Sequence, residues 1–105
     1  MDHTSAELTL PDVRAHIDAI DQKIVSLIAE RQRWVVAAGR LKSTESDVRA
    51  PDRAQRVIAR VRDLAEGAGA APDVVEGAYR ALIAGLIEFE LDDHRRRTGS
   101  LRDTE

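Results

Sequence analysis

Over the first forty or so positions the apolar residues recur at steps of three and four: Val13, Ile17, Ile20, Ile24, Leu27, Ile28, Val35, Ala38 and Leu41. That spacing is one face of an α-helix. It does not suit a strand, whose side chains alternate with a period of two. It predicts a helix from Pro11 and Asp12 to about Lys42, with Pro at a first turn where its missing N–H costs nothing. At ~30 residues and ~1.5 Å rise, such a helix is ~45 Å long, well beyond the average. Two cations interrupt the stripe. Arg31 is three after Ile28 and four before Val35, and Lys42 is four after Ala38. A charge on a buried face is costly unless paired, so each calls for an anion.

Downstream, "STESDVRA" at 43–50 reads as a loop, because its Ser, Thr and Asp side chains compete with helical hydrogen bonds. "PDRAQRV" opens a second helix, with Pro51 and Asp52 in its first turn and a stripe of Val57, Val61, Leu64 and Ala65. "EGAGAAP" ends it, with Gly67 or Gly69 as the C-cap. Pro72 and Asp73 start a third helix, whose buried face is Val75, Tyr79, Leu82, Ile83, Leu86, Ile87 and Leu91. It frays within "HRRRTGSLRDTE". Strand clusters and hairpin signals are absent, so the fold class is all-α, a three-helix chain with a long first helix. Residues 1–9 and 98–105 read as disordered, leaving one helical domain at 10–97. With one Trp, one Tyr and one Phe in 105 residues the core is thin. Burying the long stripe against a second copy would thicken it, which predicts an oligomer.

Several classes are excluded by composition. There is no cysteine, hence no disulfide and no thiolate metal site, which fits a cytoplasmic protein. A formal net charge of −3 points away from nucleic acid. "MDHTSAELTLPD" has neither the basic nor the apolar region of a signal peptide. No apolar run approaches the roughly 18 residues of a membrane span.

Two further ions join apolar faces. Glu90 is four after Leu86 and three after Ile87, and Arg53 is four before Val57. Each has an ordinary explanation. Arg31 can bury its stem and keep its head wet. Lys42 can face the negative end of a helix dipole. Arg53 can be solvated, and Glu90 can pair with an arginine such as Arg31. Taken together, inward cations on several helices suit a small ligand with two carboxylates. Arg14 is 17 residues before Arg31. On a straight helix that is ~25 Å, and ~42 Å from Lys42. Arg14 joins them only if the long helix packs antiparallel against its twin.

These residues carry a resemblance. "VRAHIDAIDQKIVSLIAERQRWVVAAGRLK", a short loop, "RAPDR", and a third helix ending "IEFE" resemble the all-helical chorismate mutase family over about residues 10–95. The resemblance implies an intertwined homodimer with the long first helices antiparallel, and a chorismate mutase-type domain at 10–97. By position, Arg14 resembles the arginine given by the partner chain to a substrate carboxylate. Arg31 resembles the arginine that holds the other carboxylate within its own chain. Lys42 matches the lysine on the ether oxygen of the enolpyruvyl group. Arg53 matches the arginine near the ring carboxylate, and Glu90 the Gln or Glu that hydrogen-bonds the same ether oxygen.

The sequence departs from the family pattern at Ala54, where many mutases have a Glu for the ring hydroxyl. "LKSTESDVRAPDR" is similar to the isochorismate-pyruvate lyase branch, which also lacks that acid, as are "VVEG" at 74–77 and "RRTG" at 96–99. Glu90 stands where that branch usually has Gln. Three expectations remain open. The first is a mutase converting chorismate to prephenate in aromatic amino-acid biosynthesis. The second is a lyase yielding salicylate and pyruvate from isochorismate. The third is a non-catalytic helical dimer that binds a metabolite or partner protein. Both reactions are pericyclic and imply no nucleophile, metal or cofactor. Ser5, Ser26, Ser43, Ser46, Ser100, His3, His16 and His94 suggest no nucleophile–base pair. Such chemistry needs a flexible substrate held in its reactive fold, and donors where the breaking C–O bond collects negative charge. Arg14 and Arg31 suit the first task, Lys42 and Glu90 the second. Glu90 can donate only when protonated.

Overall fold

The computed structural model describes residues 7–103, with side chains from 7 to 99. Helix α1 spans Leu10–Gly39, α2 Glu45–Arg49, α3 Pro51–Ala68 and α4 Pro72–Asp103, and there is no strand among the described residues. The fold is all-α, with three long helices and one short one among the described residues. The chain divides into two compact units, residues 1–34 and 35–105, with the boundary inside α1.

The first unit is the N-terminal part of α1. Its start is set by a reciprocal cap. Asp12 N–H donates to Thr9 Oγ1 at 3.3 Å, and Thr9 N–H donates to Asp12 Oδ2 at 3.1 Å. Two backbone donors that a helix start leaves orphaned are thereby satisfied. The Thr9 backbone bond is also the main reason the Asp12 carboxyl titrates below its usual range. Along this segment Val13, Ile17, Ile20, Ile24 and Leu27 are all exposed, and Trp34 is 71% exposed. Within the single chain the predicted stripe is therefore an open apolar face. The expectation of disorder at 1–9 falls mostly on residues 1–6, which lie outside the described residues.

The second unit has the core. Val57, Ile58, Val61 and Ala65 on α3 are buried, as are Leu86 and Leu91 on α4 and Val48 on α2. Leu91 is fully enclosed at 0% exposure. Every residue of the predicted face of α4, from Val75 to Leu91, is buried or half-buried. On α3 the predicted Leu64 is exposed and Ile58 is buried in its place, because the face turned to α4 runs through 57, 58, 61 and 65.

Local chemistry accounts for the joints. Gly69 adopts a left-handed conformation, with φ 81°, beyond α3. Its N–H reaches Glu66 O at 3.2 Å and the Ala70 N–H reaches Ala65 O at 2.8 Å. This double closure satisfies carbonyls left over at the helix end, and it selects Gly69 over Gly67. Arg62 then spans the joint, donating to Asp73 at 2.9 Å and Glu76 at 2.6 Å, while Arg80 donates to Glu76 at 2.6 Å.

Three boundaries differ from the sequence expectation. Helix α1 stops at Gly39 rather than Lys42. The segment 43–50 is not all loop, because Thr44 Oγ1 accepts the Asp47 N–H at 3.1 Å and caps the one-turn helix α2. Helix α4 continues through Asp103, past the start of the expected disordered tail at 98. Thr98 contributes there by donating its hydroxyl to His94 O at 3.1 Å, so that it adds to the helical bonding instead of competing with it. Residues 104 and 105 lie outside the described residues.

Candidate active site

Because α1 ends at Gly39, Lys42 is not on the helix stripe. It lies in the turn that follows, where Leu41 N–H reaches Ala38 O and Lys42 N–H reaches Gly39 O, both at 3.1 Å. These tight three-residue closures turn the chain off the helix axis. The stripe therefore breaks before Lys42: Leu41 is 90% exposed and Ala38 is exposed, while Val35 and Val36 are half-buried and Gly39 is buried.

The turn points Lys42 at α4. Lys42 Nζ donates to Glu90 Oε2 at 3.1 Å, across 48 residues of sequence. Glu90 is 4% exposed and is the buried charged residue among the described residues, whereas Lys42 is half-buried. Lys42 is thus an ion-pair partner of Glu90 that the sequence spacing did not offer. An ammonium has three donors. One goes to Glu90, which orients the group at the rim of the core.

Two ion pairs flank Lys42 and tie its turn to the same helix. On one side Arg40 donates to Asp93 through Nε at 3.3 Å and Nη2 at 3.1 Å, and Arg97 reaches the same carboxylate at 3.3 Å. On the other, Arg95 donates to Glu45 through Nε at 2.8 Å and Nη2 at 2.9 Å. Forked arginine–carboxylate pairs fix geometry as well as distance. The Arg40 guanidinium, then its charge and Arg97, hold the Asp93 carboxyl below its usual range. The hydrogen bonds from Arg95 do the same to Glu45, and both arginines are raised in turn. Sequence spacing did not reveal either pair, nor Gly39, which lies against Glu90.

The remaining candidates sit elsewhere. Arg53 is exposed in the first turn of α3 and forms no salt bridge among the described residues. Beside it Ala54 is half-buried, its N–H bonded to Ala50 O at 3.1 Å. Arg14 and Arg31 belong to the first unit, Arg14 exposed and Arg31 half-buried. Seventeen residues of helix separate them, or ~25 Å. Of the predicted set, the second unit brings Lys42 and Glu90 into contact. Among the described residues no group of acidic or histidine side chains has the arrangement of a metal site, and no helix is long and apolar enough to cross a membrane.

The pairing of a half-buried ammonium with a buried carboxylate can stabilise negative charge that develops on a substrate oxygen. Comparison with known proteins points to a family. Residues 13–91 match the family described as chorismate mutase type II. Over 91 residues the chain is 32% identical to an isochorismate pyruvate lyase of Pseudomonas aeruginosa, covering 87% of this chain and 90% of that protein. Over 88 residues it is 33% identical to the T-protein of Enterobacter agglomerans. That alignment covers 83% of this chain and 23% of the T-protein's length.

Proposed function

The chain belongs to the chorismate mutase type II family, and from that premise we propose that it is an enzyme rearranging chorismate to prephenate in aromatic amino-acid biosynthesis. The observation that carries the proposal is the Lys42–Glu90 pair, 3.1 Å across and anchored on a carboxylate at 4% exposure. In the rearrangement a C–O bond breaks as a C–C bond forms, and the ether oxygen gathers charge. Lys42 meets that charge with a fixed ammonium, so that little reorganisation is needed as the transition state forms. Ionised, Glu90 orients Lys42; protonated, it donates to the ether oxygen itself.

The substrate's two carboxylates fall to arginines. Arg31 takes one within its own chain, Arg53 stands near the ring carboxylate, and Arg14 arrives from a second copy. The open face of Val13, Ile17, Ile20, Ile24 and Leu27 supports that dimer, since an exposed apolar stripe of this length is what a second α1 would cover. On this reading the domain at 10–97 is completed by the twin. The reaction calls on no cofactor, and a cytoplasmic location belongs to the proposal.

A second reading is favoured by specific observations. Ala54 lacks the acid that many mutases place there, and the lyase from Pseudomonas aeruginosa aligns along 90% of its length. The alternative is therefore isochorismate-pyruvate lyase activity, giving salicylate and pyruvate from the same constellation.

A paired assay tests both. Purified protein receives chorismate in one reaction and isochorismate in the other. Prephenate from chorismate, with far slower use of isochorismate, supports the mutase. Salicylate and pyruvate at the higher efficiency replace it with the lyase. No turnover of either substrate overturns both and leaves a binding role.

A further inference from the structure

Gly39 closes α1 in a helical conformation; positive φ occurs, among the described residues, at Ala50 and Gly69. Its backbone would therefore accept any L residue. By helix propensity alone an alanine would be better, since glycine loses more conformational freedom on folding. The need for glycine is spatial. A Cβ at position 39 would lie 2.6 Å from Glu90 Cγ and 2.8 Å from Cδ, and it would strike Oε2 first. That oxygen is the one that accepts the Lys42 ammonium. A Cβ added at Gly67, Gly69, Gly77, Gly85 or Gly99 meets nothing within 4 Å. Gly39 also holds the other end of the pair, because its carbonyl accepts the Lys42 backbone N–H at 3.1 Å.

We infer that Gly39 is a positioning residue for the proposed site. Its bare Cα makes the space in which the Glu90 carboxylate lies, and its carbonyl starts the turn that brings Lys42 to that carboxylate. The inference rests on the reading of Lys42 and Glu90 as the catalytic pair. The clasp runs from Gly39 O to Lys42 N–H, from Lys42 Nζ to Glu90 Oε2, and from Glu90 back to the flank of Gly39. Any side chain at 39 forces Glu90 to a new rotamer, and Lys42 loses its anchor. Glu90 is 4% exposed and lies against Gly39 at the end of α1, so it does not move without cost.

The experiment is Gly39→Ala in the full-length protein, made in the wild-type and in the Glu90→Ala background, with thermal midpoints and steady-state kinetics for all four proteins. In the wild-type background, Gly39→Ala lowers the midpoint and cuts kcat by about 100-fold, the scale of a ~1 Å misplacement, with a smaller change in KM. In the Glu90→Ala background, where Cγ is gone, the same change raises the midpoint, as helix propensity dictates, and lowers the rate no further. Gly77→Ala, an open helical glycine, raises the midpoint and leaves kcat unaltered. A Gly39→Ala penalty of equal size in both backgrounds overturns the inference, as does a harmless Gly39→Ala in the wild type. Should Glu90→Ala not fold, Lys42→Met takes its place. Gly39→Ala then has no further effect on kcat if it acts through this pair, and a full additional loss if it does not. Should the wild type turn over neither chorismate nor isochorismate, the functional reading fails on its own. The midpoints still decide whether Gly39 makes room for Glu90.

Discussion

Arg95 grips Glu45 through two hydrogen bonds, of 2.8 and 2.9 Å, across 50 residues of sequence. With the Arg40–Asp93 fork it stakes the turn carrying Lys42 to α4 on both sides. These pairs are exposed enough that each adds little to global stability. Their effect is to restrict where Lys42 can go. Glu45→Gln combined with Arg40→Gln is therefore expected to lower kcat by about 10-fold, a modest misplacement on the scale of positioning effects, while the thermal midpoint moves by little. A midpoint that collapses, with kcat per folded molecule intact, would make the pairs structural.

The same two carboxylates contribute a small share of the acid response. Glu45 titrates below its ordinary value of 4.5 through the hydrogen bonds of Arg95, and Asp93 below 3.8 chiefly through Arg40. A carboxyl depressed in the folded state contributes stability that is whole above its unfolded value and is lost as pH falls through the folded one. The ties hold in full at pH 7 and weaken below about pH 4.5. Thermal midpoints from pH 7 to 3 are expected to fall less steeply in a Glu45→Gln, Asp93→Asn double variant than in the wild type, and added salt should narrow the gap. Parallel curves would remove the two carboxylates from the acid response.

Lys42→Met tests the proposed chemistry. Loss of one electrostatic donor is expected to cost about 100- to 1,000-fold in kcat. It also strands Glu90 without the Lys42 ammonium, at about 1–3 kcal/mol. Adding Glu90→Gln recovers much of the stability and little of the rate. Rate recovered along with stability would show that Lys42 acts through folding.

Ala50 has φ 33° and ψ 64°, a left-handed conformation at the junction of α2 and α3. A residue with a Cβ carries roughly 1–2 kcal/mol of strain there, offset in part by the extra chain entropy that glycine loses. Ala50→Gly is expected to raise stability by up to about 1 kcal/mol in denaturant titration. A loss of stability would mean that the Ala50 methyl makes contacts worth more than the strain.

The proposed dimer has its own test. Ile17 and Ile24 are 50% and 48% exposed in the single chain. Ile17→Lys with Ile24→Lys is expected to convert a dimer into a monomer in analytical ultracentrifugation and to abolish turnover, because Arg14 no longer reaches a second site. A wild type that sediments as a monomer while fully active would sink the role given to Arg14.

The sequence by itself determined what depends on near neighbours. Periodicity placed three long helices, because burial on a helix repeats every three to four residues. Pro51 and Pro72 marked two starts and the pair Gly67 and Gly69 a stop, since each acts within a turn of its own position. The candidate ions were found for the same reason: Glu90, Lys42 and Arg31 stand out against the apolar residues beside them. Local rules misjudged Lys42, whose place depends on where α1 stops, and Thr44, whose hydroxyl nucleates a short helix within what reads as a loop.

Tertiary structure decided which groups meet. Lys42 and Glu90 are 48 residues apart, and nothing in either neighbourhood names the other as partner. Arg40 found Asp93 and Glu45 found Arg95 by the way α2 and the preceding turn pack on α4. Gly39 illustrates the limit best. In sequence it is a weak helix residue near a helix end. Only the approach of a buried carboxylate makes its missing Cβ necessary, and that approach is set by packing between helices, which periodicity along one helix does not encode.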